Sequence, residues 1–275
     1  VGAAPVAVGT ALAHADGAAR ALPASAALLG ALLLQVGANL ANDLFDFERG
    51  ADTEQRIGPQ RAVQAGWVEP AHMRQAVFAV FAAAAGVGLY LVAVGGWPIA
   101  LLGALSIAAG LAYTGGPFPI GYHGLGDLFA FAFFGVAAVC GTFYVQTLAL
   151  SPLALAASVP LGALATAVLV VNNVRDLETD RSAGKRTLAV RLGRRGARIE
   201  YALLLLLAYA TPAVLVMAGA ASPWLLLPLV TLPGALSLLR RVATEVQGPP
   251  LNEALAGTAR LELVFAALLC AGLLA

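Results

Sequence analysis

The stretch NDLFDFERGAD, residues 42–52, places Asp43, Asp46, Glu48 and Asp52 within eleven positions of a chain in which only 11% of residues are charged. On a helix, Asn39, Asn42 or Asp43, and Asp46 recur at three- and four-residue spacing and so project from one side. A second stretch, VNNVRDLETDRSAGKRTLAV, residues 171–190, repeats the design with Asn172 or Asn173, Asp176 and Asp180. Acidic groups near hydrocarbon are costly and usually face a cavity or a partner. Two such stripes, far apart in sequence, therefore weigh against a pair of merely solvated helix ends. Paired aspartates are hard oxygen ligands that suit Mg²⁺, an ion that prefers one or two carboxylates plus substrate phosphates to an all-protein cage. Carboxylate and diphosphate do not meet directly, since like charges at about 4 Å repel by about 4 kcal/mol per unit pair at an effective dielectric near 20. A divalent cation reverses that sign. Arg56 and Arg61 in RIGPQR, with Lys185 and Arg186 in GKRT, add positive charge suited to phosphate oxygens. Lys185 is the one lysine of the chain.

These residues need elements to hold them. With 60% hydrophobic residues and a mean hydropathy of +0.84, the composition is that of an all-α, polytopic membrane protein. Nine apolar segments are read at approximately 1–14, 22–46, 74–95, 97–114, 125–147, 152–174, 198–219, 223–239 and 252–274. They are taken as a single transmembrane domain, residues 1–275, with membrane lipid around it. The first segment is short and lacks an initiator Met or basic flank, so the chain is expected to begin part-way into its first helix; no cleavable signal is recognisable. The stretches 47–73 and 175–197 are longer and polar. Cys140 and Cys270 lie in apolar surroundings far apart, which supports neither a disulfide framework nor a metal site. A net charge of +1 gives no reason to expect a nucleic-acid partner.

The placement of charge orients the chain. Four arginines lie in or beside the loop after the second segment, eight Lys and Arg run from Arg175 to Arg198, and Arg240 and Arg241 follow the eighth segment, so 14 of the 16 fall on one face. By the positive-inside rule this face is cytoplasmic, together with the N-terminus and both acidic stripes, in a cell inner or plasma membrane.

The two motifs, Asn42-Asp43-x-x-Asp46 and Asp176-x-x-x-Asp180, resemble those of the UbiA-type intramembrane prenyltransferases. GANLANDLFDFERGADTEQRIGPQRAVQAG, AYTGGPFPIGYHGLGD and NNVRDLETDRSAGKRTLAVRLG are similar to the branch that prenylates 1,4-dihydroxy-2-naphthoate in menaquinone synthesis. The resemblance implies nine transmembrane helices around a central cavity, with Mg²⁺ bridging the aspartates to a polyprenyl diphosphate at its cytoplasmic mouth. Ionisation of the allylic C–O bond, attack by the naphthoate ring and loss of CO₂ would give demethylmenaquinol. The superfamily's first motif usually carries a third Asp four residues after the second, where this chain has Gly50. Its next acid is Asp52, as in the naphthoate branch. Asp43, Asp46, Asp52, Asp176 and Asp180 are the expected metal ligands, and Asp43, Asp46, Asp176, Asp180 and Lys185 the expected catalytic set. Asn39, Asn42, Asn172 and Asn173 join Arg56, Arg61 and Arg186 as expected substrate contacts.

The block AYTGGPFPIGYHGLGD joins segments four and five on the same face, and is expected to cap the cavity and touch the aromatic acceptor. Tyr113 is a candidate contact there, although an interfacial aromatic belt is the commoner role for Tyr113 and Tyr122. His123 reads as a solvated loop residue. Tyr144 either faces the cavity or packs. Arg260, in the ninth segment, faces the cavity, pairs with an acid or snorkels. Two other readings stand beside the naphthoate enzyme. One is a UbiA-type enzyme for homogentisate, 4-hydroxybenzoate or a lipid alcohol, which RIGPQR and YTGGPFPIGY fit less well. The other is an ion-coupled transporter, disfavoured because the acids lie at helix ends rather than at broken helices near the midplane.

Overall fold

The computed structural model describes residues 1–51, 57–245 and 249–275. Its helices are α1 (Ala3–Ala15), α2 (Ala21–Glu48), α3 (Pro70–Gly95), α4 (Trp97–Ala112), α5 (Gly126–Thr147), α6 (Pro152–Arg175), α7 (Leu188–Met217), α8 (Pro223–Thr244) and α9 (Pro249–Leu274). Seven of them are long and apolar enough to cross a membrane, whereas α1 and α4 are shorter apolar helices. Bilayer-facing side chains such as Leu101, Leu206 and Leu263 stay exposed, because hydrocarbon rather than water is their solvent.

The apolar side chains gather into unequal clusters, and this division creates the cavity. The large one joins α1 with α5–α9 through residues such as Leu12, Phe143, Leu164, Tyr201 and Phe265. A smaller one joins α2 and α3 through Ala41, Val77 and Phe81, with Ile107 and Leu111 of α4 packed against it. The chamber lies between them. The central post is α6, with 72% of its most apolar window buried against 17–39% for the other long helices. Ser151 starts it by accepting the Ala154 N–H at 3.3 Å, with Pro152 in the first turn, where a missing N–H costs nothing.

Close packing of α5 on α6 depends on small residues. A Cβ added at Gly135 would lie 2.6 Å from Gly162 Cα, and one at Gly162 would lie 2.9 Å from the Phe131 carbonyl oxygen. Backbones approach this closely in membranes only where side chains are absent. On this face of α5, Phe131–Ala137 is wound as a π-helix, a form often found at functional sites.

The region 175–197, read from sequence as a loop, is largely helical. A short helix, Leu177–Ser182, follows α6, and α7 begins at Leu188, where Thr187 accepts the Val190 N–H at 3.3 Å. At Gly193, with φ 70° and ψ 171°, the helix breaks, a backbone state that only glycine adopts cheaply. Arg191, Arg194, Arg195 and Arg198 made this amphipathic piece look like a polar connection.

Replacing Gly162 with Leu is expected to force α5 and α6 apart, at a cost of about 1–3 kcal/mol for overpacking. A lowered melting temperature of the detergent-solubilised protein would register it, and an unchanged melt would contradict the close crossing.

Candidate functional site

Both acidic stripes reach one end of the chamber. Asn39, Asn42 and Asp46 of α2 line it from one side, and Asn172, Asn173, Asp176 and Asp180 from the other. Arg61, Lys185, Tyr113 and Tyr122 complete this polar mouth of a cavity of about 820 Å³ whose remaining walls are mostly apolar.

Asp46 and Asp176 are buried, and each is partnered. The Tyr122 hydroxyl donates to Asp46 at 2.8 Å and Lys185 Nζ at 2.9 Å. Lys185 and Arg49 lie 4.9 and 5.5 Å from the Tyr122 ring centroid, where a cation meets the negative face of the π-system. Arg49 Nε donates to the Thr114 carbonyl at 3.0 Å, and its Nη2 to that of Gly116. The Thr114 hydroxyl in turn donates to Asn42 Oδ1 at 3.0 Å. The Arg186 N–H closes the network on the Tyr122 carbonyl at 3.0 Å. One phenol thus ties the end of α2, the α4–α5 connection and the chain before α7.

Asp176 is held by Arg175, whose Nε and Nη2 donate to its two oxygens at 2.8 and 2.6 Å. The same guanidinium donates to Asn172 Oδ1 at 2.8 Å and to Asn252 Oδ1 of α9 at 3.0 Å. Only 3% of this arginine is exposed, and its four hydrogen bonds go to a carboxylate and two side-chain amides, with the carboxylate taken in the bidentate manner that suits guanidinium. Gly58 packs against it: a Cβ there would lie 2.7 Å from Nη2.

Asp43 has a different task. It does not line the cavity; its oxygens accept the N–H groups of Ala62 at 2.9 Å and Val63 at 3.3 Å. The carboxylate thereby anchors the connection that carries Arg61, whose Nη1 reaches the Asn39 carbonyl at 3.5 Å. Beneath it, Leu44, Val63 and Met73 form a small apolar cluster.

Several expected contacts lie elsewhere. The Arg186 side chain is exposed and away from the cavity, although its main chain belongs to the network above. Tyr144 sits at the opposite end of the bundle, where a Cβ on Gly95 would be 3.5 Å from its ring. Nearby, Gln146 accepts the Arg20 N–H at 3.2 Å. Arg260 is exposed on α9, which leaves the snorkelling reading. His123 is locked within its own loop, with Nδ1 2.8 Å from the Pro119 carbonyl and its ring stacked on Phe118. Asp52 and Arg56 lie outside the described residues. Sequence reasoning missed Arg175 and Thr114 and favoured an aromatic-belt role for Tyr122; the available signal was Arg175 directly before Asp176, counted only as a topological charge.

Among the described residues, no three His, Cys, Asp or Glu side chains come close enough to hold a metal by themselves. The donors at the mouth are carboxylate and amide oxygens, which fit a hard cation completed by substrate phosphates and fit a soft-metal site poorly. Tyr113 also opens onto the mouth, and burial first, then the carboxylates of Asp127, Asp46 and Asp180, push its hydroxyl well above the ordinary phenol range.

Such an arrangement defines a class: a helical membrane protein with an apolar chamber closed at one end by paired acids and cations. The chain belongs to the UbiA prenyltransferase family, whose profile matches residues 3–272. It is 42% identical over 273 residues, covering 99% of this chain and 91% of the relative, to the 1,4-dihydroxy-2-naphthoate octaprenyltransferase of Mycobacterium tuberculosis. The Bacillus subtilis protein of the same name is 33% identical over 249 residues, covering 90% and 80% of the two chains. The fold is similar, with a TM-score of 0.65 at 17% identity, to that of an Archaeoglobus fulgidus UbiA homologue solved with DMAPP and Mg²⁺, covering 98% of this chain and 96% of that one. Its apolar helices and its family make it an integral membrane protein.

Asp43→Ala should free the connection carrying Arg61, because two backbone donors lose an acceptor at a cost of about 1–3 kcal/mol each when buried. Hydrogen exchange at the amides of Ala62 and Val63 is expected to accelerate while α2 stays protected; unchanged exchange there would contradict the anchoring role.

Proposed function

We propose that the chain transfers a polyprenyl group from a polyprenyl diphosphate to 1,4-dihydroxy-2-naphthoate, releasing diphosphate and CO₂ and forming demethylmenaquinol. The observation that carries the reading is the convergence of Asp46, Asp176, Asp180, Lys185 and Arg61 on the mouth of one apolar cavity. The names of the relatives at 33–42% identity support the naphthoate acceptor.

Asp46, Asp176 and Asp180 would hold Mg²⁺ together with the diphosphate oxygens. When bound, the ion supplies positive charge that stabilises the departing diphosphate. Lys185 and Arg61 add fixed charge at the same place, where a low dielectric makes each contact count for more than in water. Asn39, Asn42, Asn172 and Asn173 offer amide groups that orient the diphosphate without adding charge. The apolar walls receive the isoprenoid tail and keep water from the allylic cation, which water would otherwise capture. Asp43 serves this chemistry by fixing the connection that presents Arg61. The clustering of Lys and Arg supports a cytoplasmic mouth and N-terminus.

Purified protein supplied with Mg²⁺, 1,4-dihydroxy-2-naphthoate and a polyprenyl diphosphate should form the prenylated naphthoquinol, and chelation should stop it. Asp46→Ala, Asp176→Ala and Asp180→Ala are each expected to lower kcat by about 10²-fold or more while the protein remains folded in the membrane. Turnover that survives chelation, or near-normal rates in these variants, would refute the reading.

A further inference from the structure

Asp46 and Asp176, on opposite rims of the mouth, have all of their carboxylate oxygens taken by donors of the chain itself, but the two donors differ in what they can do next. Asp176 gives both oxygens to Arg175. That guanidinium is bound as well to Asn172 and Asn252 and stands behind the cavity wall. Asp46 gives Oδ1 to the Tyr122 hydroxyl at 2.8 Å and Oδ2 to Lys185 Nζ at 2.9 Å. Unlike Arg175, Lys185 lines the cavity. Its main chain is pinned, since its N–H donates to the Asp180 carbonyl at 2.9 Å and the next N–H, of Arg186, to that of Tyr122 at 3.0 Å. Gly184 before it takes φ 74°, a turn that glycine makes without strain. Beyond that fixed point, the ammonium rests on Asp46 and on the face of Tyr122, at the end of a flexible four-carbon stem whose three donors can be re-aimed. Of the two acid–cation pairs, Lys185 with Asp46 is therefore the one that can open while the helix ends stay where they are.

We propose that Lys185 makes the mouth selective for a metal ion accompanied by diphosphate over the free metal ion, by holding Asp46 Oδ2 until a phosphate oxygen draws the ammonium away. The proposal rests on the donor half of the prenyl-transfer reading above. A divalent cation arriving alone meets a carboxylate whose charge is already answered and an ammonium that repels it. To reach Oδ2 it has to strip Lys185 from Asp46 and leave that ammonium without a counter-ion in a site mostly out of water, which is costly. Diphosphate removes the cost. The ammonium exchanges a carboxylate oxygen for a phosphate oxygen, a bond that is equally charge-assisted, and Asp46 Oδ2 is released to the cation while Tyr122 keeps Oδ1 and with it the orientation of the carboxylate. No charge is left unpaired before or after the exchange. Coupling between two ligands is reciprocal, so the metal ion tightens the diphosphate by the factor by which the diphosphate tightens the metal ion. Arg175, enclosed on four acceptor atoms, keeps Asp176 in place throughout, which confines the exchange to one rim.

Because Lys185 is the one lysine of the chain, a lysine label carrying ¹⁵N at Nζ reads it alone. In the detergent-solubilised wild type, its NMR signal should stay in place when Mg²⁺ alone is added and move when Mg²⁺ and a non-ionising prenyl thiodiphosphate are added together. By calorimetry, Mg²⁺ alone should bind about tenfold more tightly to Lys185→Met than to wild type, within the range usual for coupled sites. In an Asp46→Asn background the same lysine substitution should bring no such gain, whereas a lysine acting only through its general positive charge would bring it in both backgrounds. A lysine signal that stays put while thiodiphosphate and Mg²⁺ are bound overturns the exchange, as does an equal gain in both backgrounds. So does Mg²⁺ alone moving the signal at the concentration that suffices beside the thiodiphosphate. Should Lys185→Met fail to fold, the wild-type signal decides. A wild type that binds the pair and moves its lysine but leaves naphthoate unprenylated overturns the acceptor reading and leaves the exchange standing; one that binds no thiodiphosphate overturns the donor reading and the exchange together.

Discussion

Charge at the edge of a hydrocarbon layer has to be answered within the protein, and the rest of this structure follows from how that is done. Lys185 and Tyr122 meet Asp46, and Arg175 meets Asp176. An exposed ion pair would contribute little, but these groups are mostly out of water, so leaving one acid unpaired would cost far more than the pair contributes. The partners come from different parts of the chain. Pairing the acids therefore fixes the relative positions of α2, the α4–α5 connection, α6 and the chain before α7.

Beneath the mouth, packing divides the work. The large cluster around α6 is a closed core, whereas α2, α3 and α4 hold together through a smaller cluster of their own. Two bodies with separate cores leave space where they face each other. The acids of α2 and α6 then sit on opposite rims of that space, which accounts for both stripes lining one cavity although they lie far apart in the chain.

The helical segments and the two Asn/Asp stripes were legible because apolar composition and helical spacing are strong signals. The role of Asp43 was not. At about 100° per residue, Asp43 and Asp46 project about 60° apart, so both belong to one stripe by spacing, yet one faces the cavity and the other the backbone of Ala62 and Val63. Spacing does not tell an edge from a centre when the neighbour is a loop. Arg175 was hidden for another reason: the positive-inside count treats an arginine alike whether it faces lipid headgroups or is buried against Asp176. The helical character of 188–197 was masked by three arginines, which suit an interfacial helix as well as a loop.

The chamber itself is maintained by omission. Gly88 and Gly103 line it, and a Cβ at either would meet nothing within 4 Å. Neither has a positive φ, so backbone conformation does not ask for glycine, and close packing does not ask for it either. Glycine within a helix costs roughly 0.5–1 kcal/mol relative to alanine. What that cost leaves behind is room: side chains at these positions would grow into the space where an isoprenoid tail has to lie. The stability given up along α3 and α4 is thus tied to the volume of the cavity, just as the cost of gathering acids at its mouth is offset by the cations bound to them.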